Sequence, residues 1–148
     1  MILNYLFLYC IHNDNNSTTP ESTISSLSSL KTRYPDRNII LIAGGADKEF
    51  NYQRIGEYIS EHIYHAFLFS GKASEKICTH FPSTYKSFTK VLSMPTAFNL
   101  ALRQAENGDI ITRTFCRLIP FDRISFLFVK NGIHDYLSKT KVVKDTAE

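Results

Sequence analysis

The feature that most constrains this chain is an alternation of short apolar runs with longer stretches whose apolar residues recur every three to four positions. Ile39-Ile40-Leu41-Ile42-Ala43 is a continuous β-rich run with no polar face, the pattern of a strand covered on both sides. Ala66 to Phe69, Phe88 to Leu92 and Ile110-Ile111 read as further strands, and the apolar opening Ile2 to Tyr9 as the first. Between them, Ile55, Tyr58, Ile59, His62 and Ile63 fall at i, i+3, i+4, i+7 and i+8, the stripe of an amphipathic helix. Phe98, Ala101, Leu102 and Ala105 repeat it, and Asn107-Gly108 supplies a helix stop. Ile24, Leu27 and Leu30 mark an earlier helix, with Thr19 as N-cap, Pro20 at the first helical position and Glu21 in the first turn. The serines of the Ser/Thr-rich stretch Ser17 to Ser29 are expected to form its solvated face.

Strands alternating with helices at this spacing imply right-handed βαβ crossovers. The fold class is therefore α/β, a Rossmann-like, mostly parallel sheet with flanking helices. At 148 residues and 43% hydrophobic composition, the chain suits one domain with a single core. We assign that domain to 1–138 and expect the polar tail 139–148 to fray.

Several functional classes are disfavoured. The 17 Lys and Arg give a formal net charge of only +3 and are scattered, so no stripe tracks a phosphate backbone and no nucleic acid partner is expected. Cys10, Cys78 and Cys116 lack CxxC spacing, which points away from a disulfide framework and towards a reducing cytoplasm. The opening run lacks a basic segment and a small-residue cleavage site, and it is shorter than the roughly 18 apolar residues needed to span a bilayer, so no membrane association is expected. His62 and His65, with Cys78 and His80 downstream, have no tight ligand pair among them, and no metal site is expected. His12 and His134 are isolated, and nothing in the sequence brings Asp122 and Asp135 together as an acid and base.

Ligands of parallel sheets bind beyond the carboxyl ends of the strands. Two loops there are unusual. His12-Asn13-Asp14-Asn15-Asn16-Ser17-Thr18-Thr19-Pro20 crowds hydrogen-bonding side chains before a helix N-terminus, where they can either hold a ligand or simply make the turn and cap. Ala43-Gly44-Gly45-Ala46-Asp47-Lys48 lets the backbone turn sharply and projects a cation at the sheet edge. No GxxxxGK[ST] phosphate loop occurs anywhere in the chain.

Together, Asn13 to Thr23 and Asn38 to Lys48 resemble the opening of the C-terminal domain of the Mur ligases, most closely the UDP-N-acetylmuramoylalanine-D-glutamate ligases. Ala101 to Ile111, ALRQAENGDII, is similar to the helix and strand before that domain's last motif. The resemblance implies a three-domain enzyme that uses ATP and Mg to activate the carboxyl of UDP-N-acetylmuramoyl-alanine as an acyl-phosphate, which the amine of D-glutamate attacks. The C-terminal domain closes over the site. Carried over by position, Lys48 would hold a D-glutamate carboxylate and Thr18 would hydrogen-bond the same ligand. Asp14 would contact the nucleotide ribose, with Asn16 also on the nucleotide side. Asn16 stands where many members carry a lysine near the phosphates.

The resemblance also implies that the N-terminal and central ATP-binding domains are missing from this chain, that it has no ligase activity alone, and that it binds no cofactor alone. A non-catalytic remnant or small-ligand-binding module of the same fold is the alternative. From 112 to 138 the chain departs from the family's Ser-Pro-x-x-Ser-Phe-Asp-x-Phe-Lys-Asn stretch; Phe121-Asp122 and Lys130-Asn131 are fragments of it out of register. A frame slip after Ile111 is one hypothesis for the departure. Translating the coding DNA in every frame tests it, and absence of Ser-Pro-x-x-Ser-Phe from all of them would sink it. An upstream open frame encoding GxxxxGK[ST] would supply the expected ATP-binding part.

Overall fold

A computed structural model describes residues 10–14 and 17–114, which all belong to the first of the two units into which the chain divides, Met1–Arg117. The elements follow in the order β1 (Cys10–Asp14), α1 (Pro20–Arg33), β2 (Ile39–Gly44), α2 (Gln53–His62), β3 (His65–Phe69), α3 (Lys72–Thr79), β4 (Phe88–Val91), α4 (Met94–Gln104) and β5 (Ile110–Thr114). The five strands form one sheet in the order β1-β5-β2-β3-β4, and every neighbouring pair is parallel. The expected α/β class is the one observed.

Strand alternation divides the core. Ile39, Leu41 and Ala43 of β2, Ala66 and Leu68 of β3 and Ile110 of β5 pack in one cluster with Leu27 and Leu30 of α1, Ile55 and Ile59 of α2, and Ala73 and Ile77 of α3. Ile40, Ile42, Phe67 and Ile111, on the opposite face, are equally buried. Helices α1, α2 and α3 pack side by side in a row, while α4 packs on β2, β3 and β4. This division follows from handedness. The chain steps from β1 to β2, β3 and β4 in one direction, and only the return from β4 to β5 reverses it. A right-handed return must carry its helix over the other face.

Local chemistry explains most boundaries. At α1 the Thr19 side chain accepts from the Ser22 amide and Ser22 returns the bond to the Thr19 amide, a capping box with Pro20 behind it. Helix α4 starts at Ser93, which accepts from the Thr96 amide, and ends at Gln104; Asn107-Gly108 forms the turn into β5, with Gly108 at φ 97°.

Several expectations need correction. The strand that enters the sheet is Cys10–Asp14, and the apolar run Ile2 to Tyr9 lies outside the described residues. Asn13 and Asp14 thus end a strand rather than open a loop. Helix α3 carries no periodic signal long enough to be legible in the sequence. Of the stripe expected for α4, Ala101 and the C-cap Ala105 are buried, but Phe98 and Leu102 are only half-buried and Ala97 is buried in their place. His62 is exposed rather than part of the apolar stripe, lying against the Tyr58 ring at 4.5 Å, and Ser17 is buried rather than solvated. Among the described residues no helix is long and apolar enough to cross a membrane.

Candidate functional site

Because all five strands are parallel, the loops after β1 and β2 emerge at the same edge of the sheet. Strand β5 lies between them, so their roots are two strand spacings apart, roughly 10 Å. Asp14 stands level with Thr114 of β5, one residue beyond the Arg113–Ile42 pairing, so β1 and β2 end at nearly the same height.

The first loop is built around Asp14. Its carboxylate accepts from the Ser17 amide at 3.1 Å and from the Ser17 hydroxyl, turning the chain towards α1. Asp14 is half-buried, whereas Thr18 next to it is exposed. Asn16 lies outside the described residues.

The second loop is built around Asp47, whose Oδ1 accepts from the Glu49 amide at 2.9 Å and from the Tyr52 hydroxyl at 3.0 Å. Asp47 Oδ2 meets the Lys76 ammonium of α3 at 2.5 Å. The hydrogen bond from Lys76, with that of the Glu49 amide next in weight, holds the Asp47 carboxyl below the usual aspartate range. The same bond raises Lys76. Burial raises the Tyr52 phenol, whose oxygen also accepts from the Lys48 amide at 3.4 Å.

Lys48 itself is half-buried, with its ammonium 6.0 Å from the Phe50 ring centroid. Among the described residues it has no acidic partner, so its charge is available to an anion.

The paired glycines are required by geometry. Gly44 and Gly45 adopt φ 112° and 135°. A Cβ on Gly44 would stand 2.4 Å from Ser74 Oγ, and one on Gly71 would stand 3.0 Å from the Gly45 carbonyl oxygen. The end of β2 and the start of α3 therefore approach more closely than side chains allow.

Asp47 lies in the Ala43 to Lys48 loop, whereas Tyr52 and Lys76 carry no motif, and only the fold assembles the three. The available signals were weak: an Asp two residues before a polar amide, which favours an Asx-turn, and the Ala73–Ile77 spacing behind Gly71. The histidine and cysteine candidates do not converge. His65 bonds Thr89 at 3.0 Å, with its basicity lowered by burial, and His62 faces Glu61 at 3.7 Å. Burial raises the thiol of Cys78. His12 meets Thr112 of β5 at 3.4 Å, and His134, Asp122 and Asp135 lie outside the described residues. Among the described residues no three His, Cys, Asp or Glu side chains gather as a metal would need.

The family model of the Mur ligase, glutamate ligase domain matches residues 11–113. The UDP-N-acetylmuramoylalanine--D-glutamate ligase of Borreliella burgdorferi (strain ZS7) is 35% identical over 100 residues, which cover 68% of this chain and 22% of that protein. The ligase of the same name from Clostridium tetani is 31% identical over 106 residues, again 68% and 22%. The chain thus spans about a fifth of the length of the curated relatives it matches. Among solved structures, the UDP-N-acetylmuramate-alanine ligase of Thermotoga maritima superposes with a TM-score of 0.56 at 15% identity, over 88% of this chain and 27% of that one. The folylpolyglutamate synthase of the same organism gives 0.51 at 16%, over 84% and 29%. These two likenesses bear on the fold alone. With the family match running from β1 into the last residues of β5 and the sheet built as such a domain requires, the chain belongs to the Mur ligase family, by its glutamate ligase domain.

Proposed function

We propose that this domain serves the amino-acid side of an ATP-dependent ligase that joins D-glutamate to UDP-N-acetylmuramoyl-alanine in peptidoglycan synthesis. The observation that carries the reading is Lys48: a cation without an acidic partner among the described residues, on a Gly-Gly turn at the carboxyl edge of the sheet, in a chain whose family relatives bear that activity in their names. In this reading the Lys48 ammonium takes a carboxylate of D-glutamate by a charge-assisted hydrogen bond. Thr18 orients the same ligand through its exposed hydroxyl.

Asp14 is the candidate contact for a nucleotide ribose. A carboxylate accepts hydrogen bonds from sugar hydroxyls, which is the chemistry such a contact asks for. Asn16 joins it on the nucleotide side of the proposal. Bound ATP would supply the phosphoryl group that activates the acceptor carboxyl. Magnesium does not fit here: the described residues gather no set of carboxylates for it, and no step is assigned to it in this domain.

Titration of the chain with D-glutamate, followed by amide chemical shifts, tests the assignment. Saturable shifts around Lys48 that need at least about tenfold more D-glutamate in Lys48→Ala are expected. Binding that is unchanged by the substitution would remove Lys48 from the site, and no binding at any concentration would favour a non-catalytic domain that keeps the fold only. The involvement of Asp14 in its own loop turn is what favours that second reading.

A further inference from the structure

We propose that Asp47 is the positioning residue for Lys48, and that the Asp47–Lys76 pair ties the Lys48 loop to helix α3. This rests on the reading of Lys48 as the cation for the amino-acid carboxylate.

The loop from Gly45 to Tyr52 has few reasons of its own to hold one shape. It starts on Gly45, directly after the Gly44 that ends β2, and holds a non-glycine residue in the left-handed region, Glu49 at φ 61°. Such a residue persists only where its surroundings over-determine it. Here they do. Asp47 takes the Glu49 amide on one oxygen, which closes an Asx-turn across Lys48. The same oxygen receives the Tyr52 hydroxyl, and Tyr52 is almost fully buried against the α1–α3 core. The Tyr52 oxygen in turn accepts from the Lys48 amide, so the loop is linked to this core residue through two hydrogen bonds, one at Asp47 and one at Lys48. The second carboxylate oxygen is fastened to Lys76, one residue before the buried Ile77 of α3. A side chain that must meet a ligand carboxylate gains from such support, since an unsupported loop would have to be ordered at the moment of binding. The pairing has a second effect. It neutralises Lys76 and leaves Lys48 as the cation of this loop with no acidic partner among the described residues.

The test uses the full chain with Asp47→Ala, Asp47→Asn, Tyr52→Phe, Lys76→Met and Lys48→Ala. Backbone 15N relaxation is expected to give Lys48 and Glu49 rigid order parameters of about 0.85 in the parent chain and below about 0.6 in Asp47→Ala, with β2 and α3 unchanged. Asp47→Asn keeps an oxygen for Glu49 and Tyr52 and is expected to restore most of the order; Lys76→Met and Tyr52→Phe are expected to lose part of it. D-glutamate affinity is expected to fall about tenfold in Asp47→Ala and to fall no further when that change is added to Lys48→Ala, the non-additivity of residues acting through one another.

A loop that stays ordered in Asp47→Ala overturns the proposal, as do affinity losses that simply add. If Lys48→Ala leaves D-glutamate binding unaltered, or the parent chain shows none, the amino-acid reading fails, and the relaxation results still decide whether Asp47 orders the loop.

Discussion

A single ionised side chain, Asp47, organises the loop that carries Lys48, and its titration has a sign that can be worked out. The Lys76 hydrogen bond and the Glu49 amide hold its carboxyl below the ordinary value of 3.8. Its contribution to stability is therefore present above that value and is lost as pH falls through the folded-state value. From the other partner, Lys76 is held above its ordinary 10.5, so its contribution is complete below that value and is lost as pH rises through the higher folded one. Urea unfolding at neutral pH and well below the aspartate value is expected to show a smaller acid-induced loss in Lys76→Met than in the parent chain. Equal losses would show that the pair does not contribute. At Gly44 the constraint is steric. Forcing alanine into a positive φ costs about 1–3 kcal/mol, and the added Cβ would also collide with Ser74 Oγ. That hydroxyl is buried with no hydrogen-bond partner among the described residues, an arrangement that itself costs roughly 1–3 kcal/mol. Ser74→Ala alone is expected to stabilise the fold, and in the Gly44→Ala background to recover only the steric part of the loss, both read from urea midpoints.

Helix α4 shows how an element can be recognised in the sequence while its buried face is only half read. The stripe Phe98, Ala101, Leu102 and Ala105 locates the helix and includes the buried Ala101 and Ala105, but the face is rotated towards Ala97. Hydrophobicity favours Phe98 and Leu102, yet the sheet takes the alanines. Small side chains let the helix backbone come close to the sheet, and the larger residues flank the contact half-buried. Ala101→Leu is therefore expected to destabilise by about 1–3 kcal/mol through overpacking, measurable by urea denaturation; a neutral effect would mean that the helix can shift outward. Helix α3 was illegible for a different reason. Eight residues with two apolar anchors, Ala73 and Ile77, are too few for a period to stand out. Helix α1 was legible to the residue because its start is written in local chemistry: the Thr19 cap, Pro20 and the Ser22 return bond need no partner from elsewhere in the chain.

Across the described residues, the sheet gathers two loops that are distant in sequence. With no GxxxxGK[ST] in its 148 residues, the chain alone is expected to release no ADP when given UDP-N-acetylmuramoyl-alanine, D-glutamate, ATP and magnesium; turnover in a coupled ADP assay would refute that expectation. The parallel α/β class, the apolar central strand Ile39–Gly44, the α1 cap and the two polar loops were all determined by the sequence, because each rests on periodicity or on contacts a few residues apart. Of the two strands at the ends of the described sheet, Phe88–Val91 was legible as the run Phe88 to Leu92, whereas Cys10–Asp14 is mixed in polarity and was read from His12 onward as loop. The support of Lys48 by Asp47, Tyr52 and Lys76 belongs to tertiary structure alone. It joins a loop to a helix almost thirty residues further on, and only the parallel packing of β2 beside β3 brings the two within hydrogen-bonding distance.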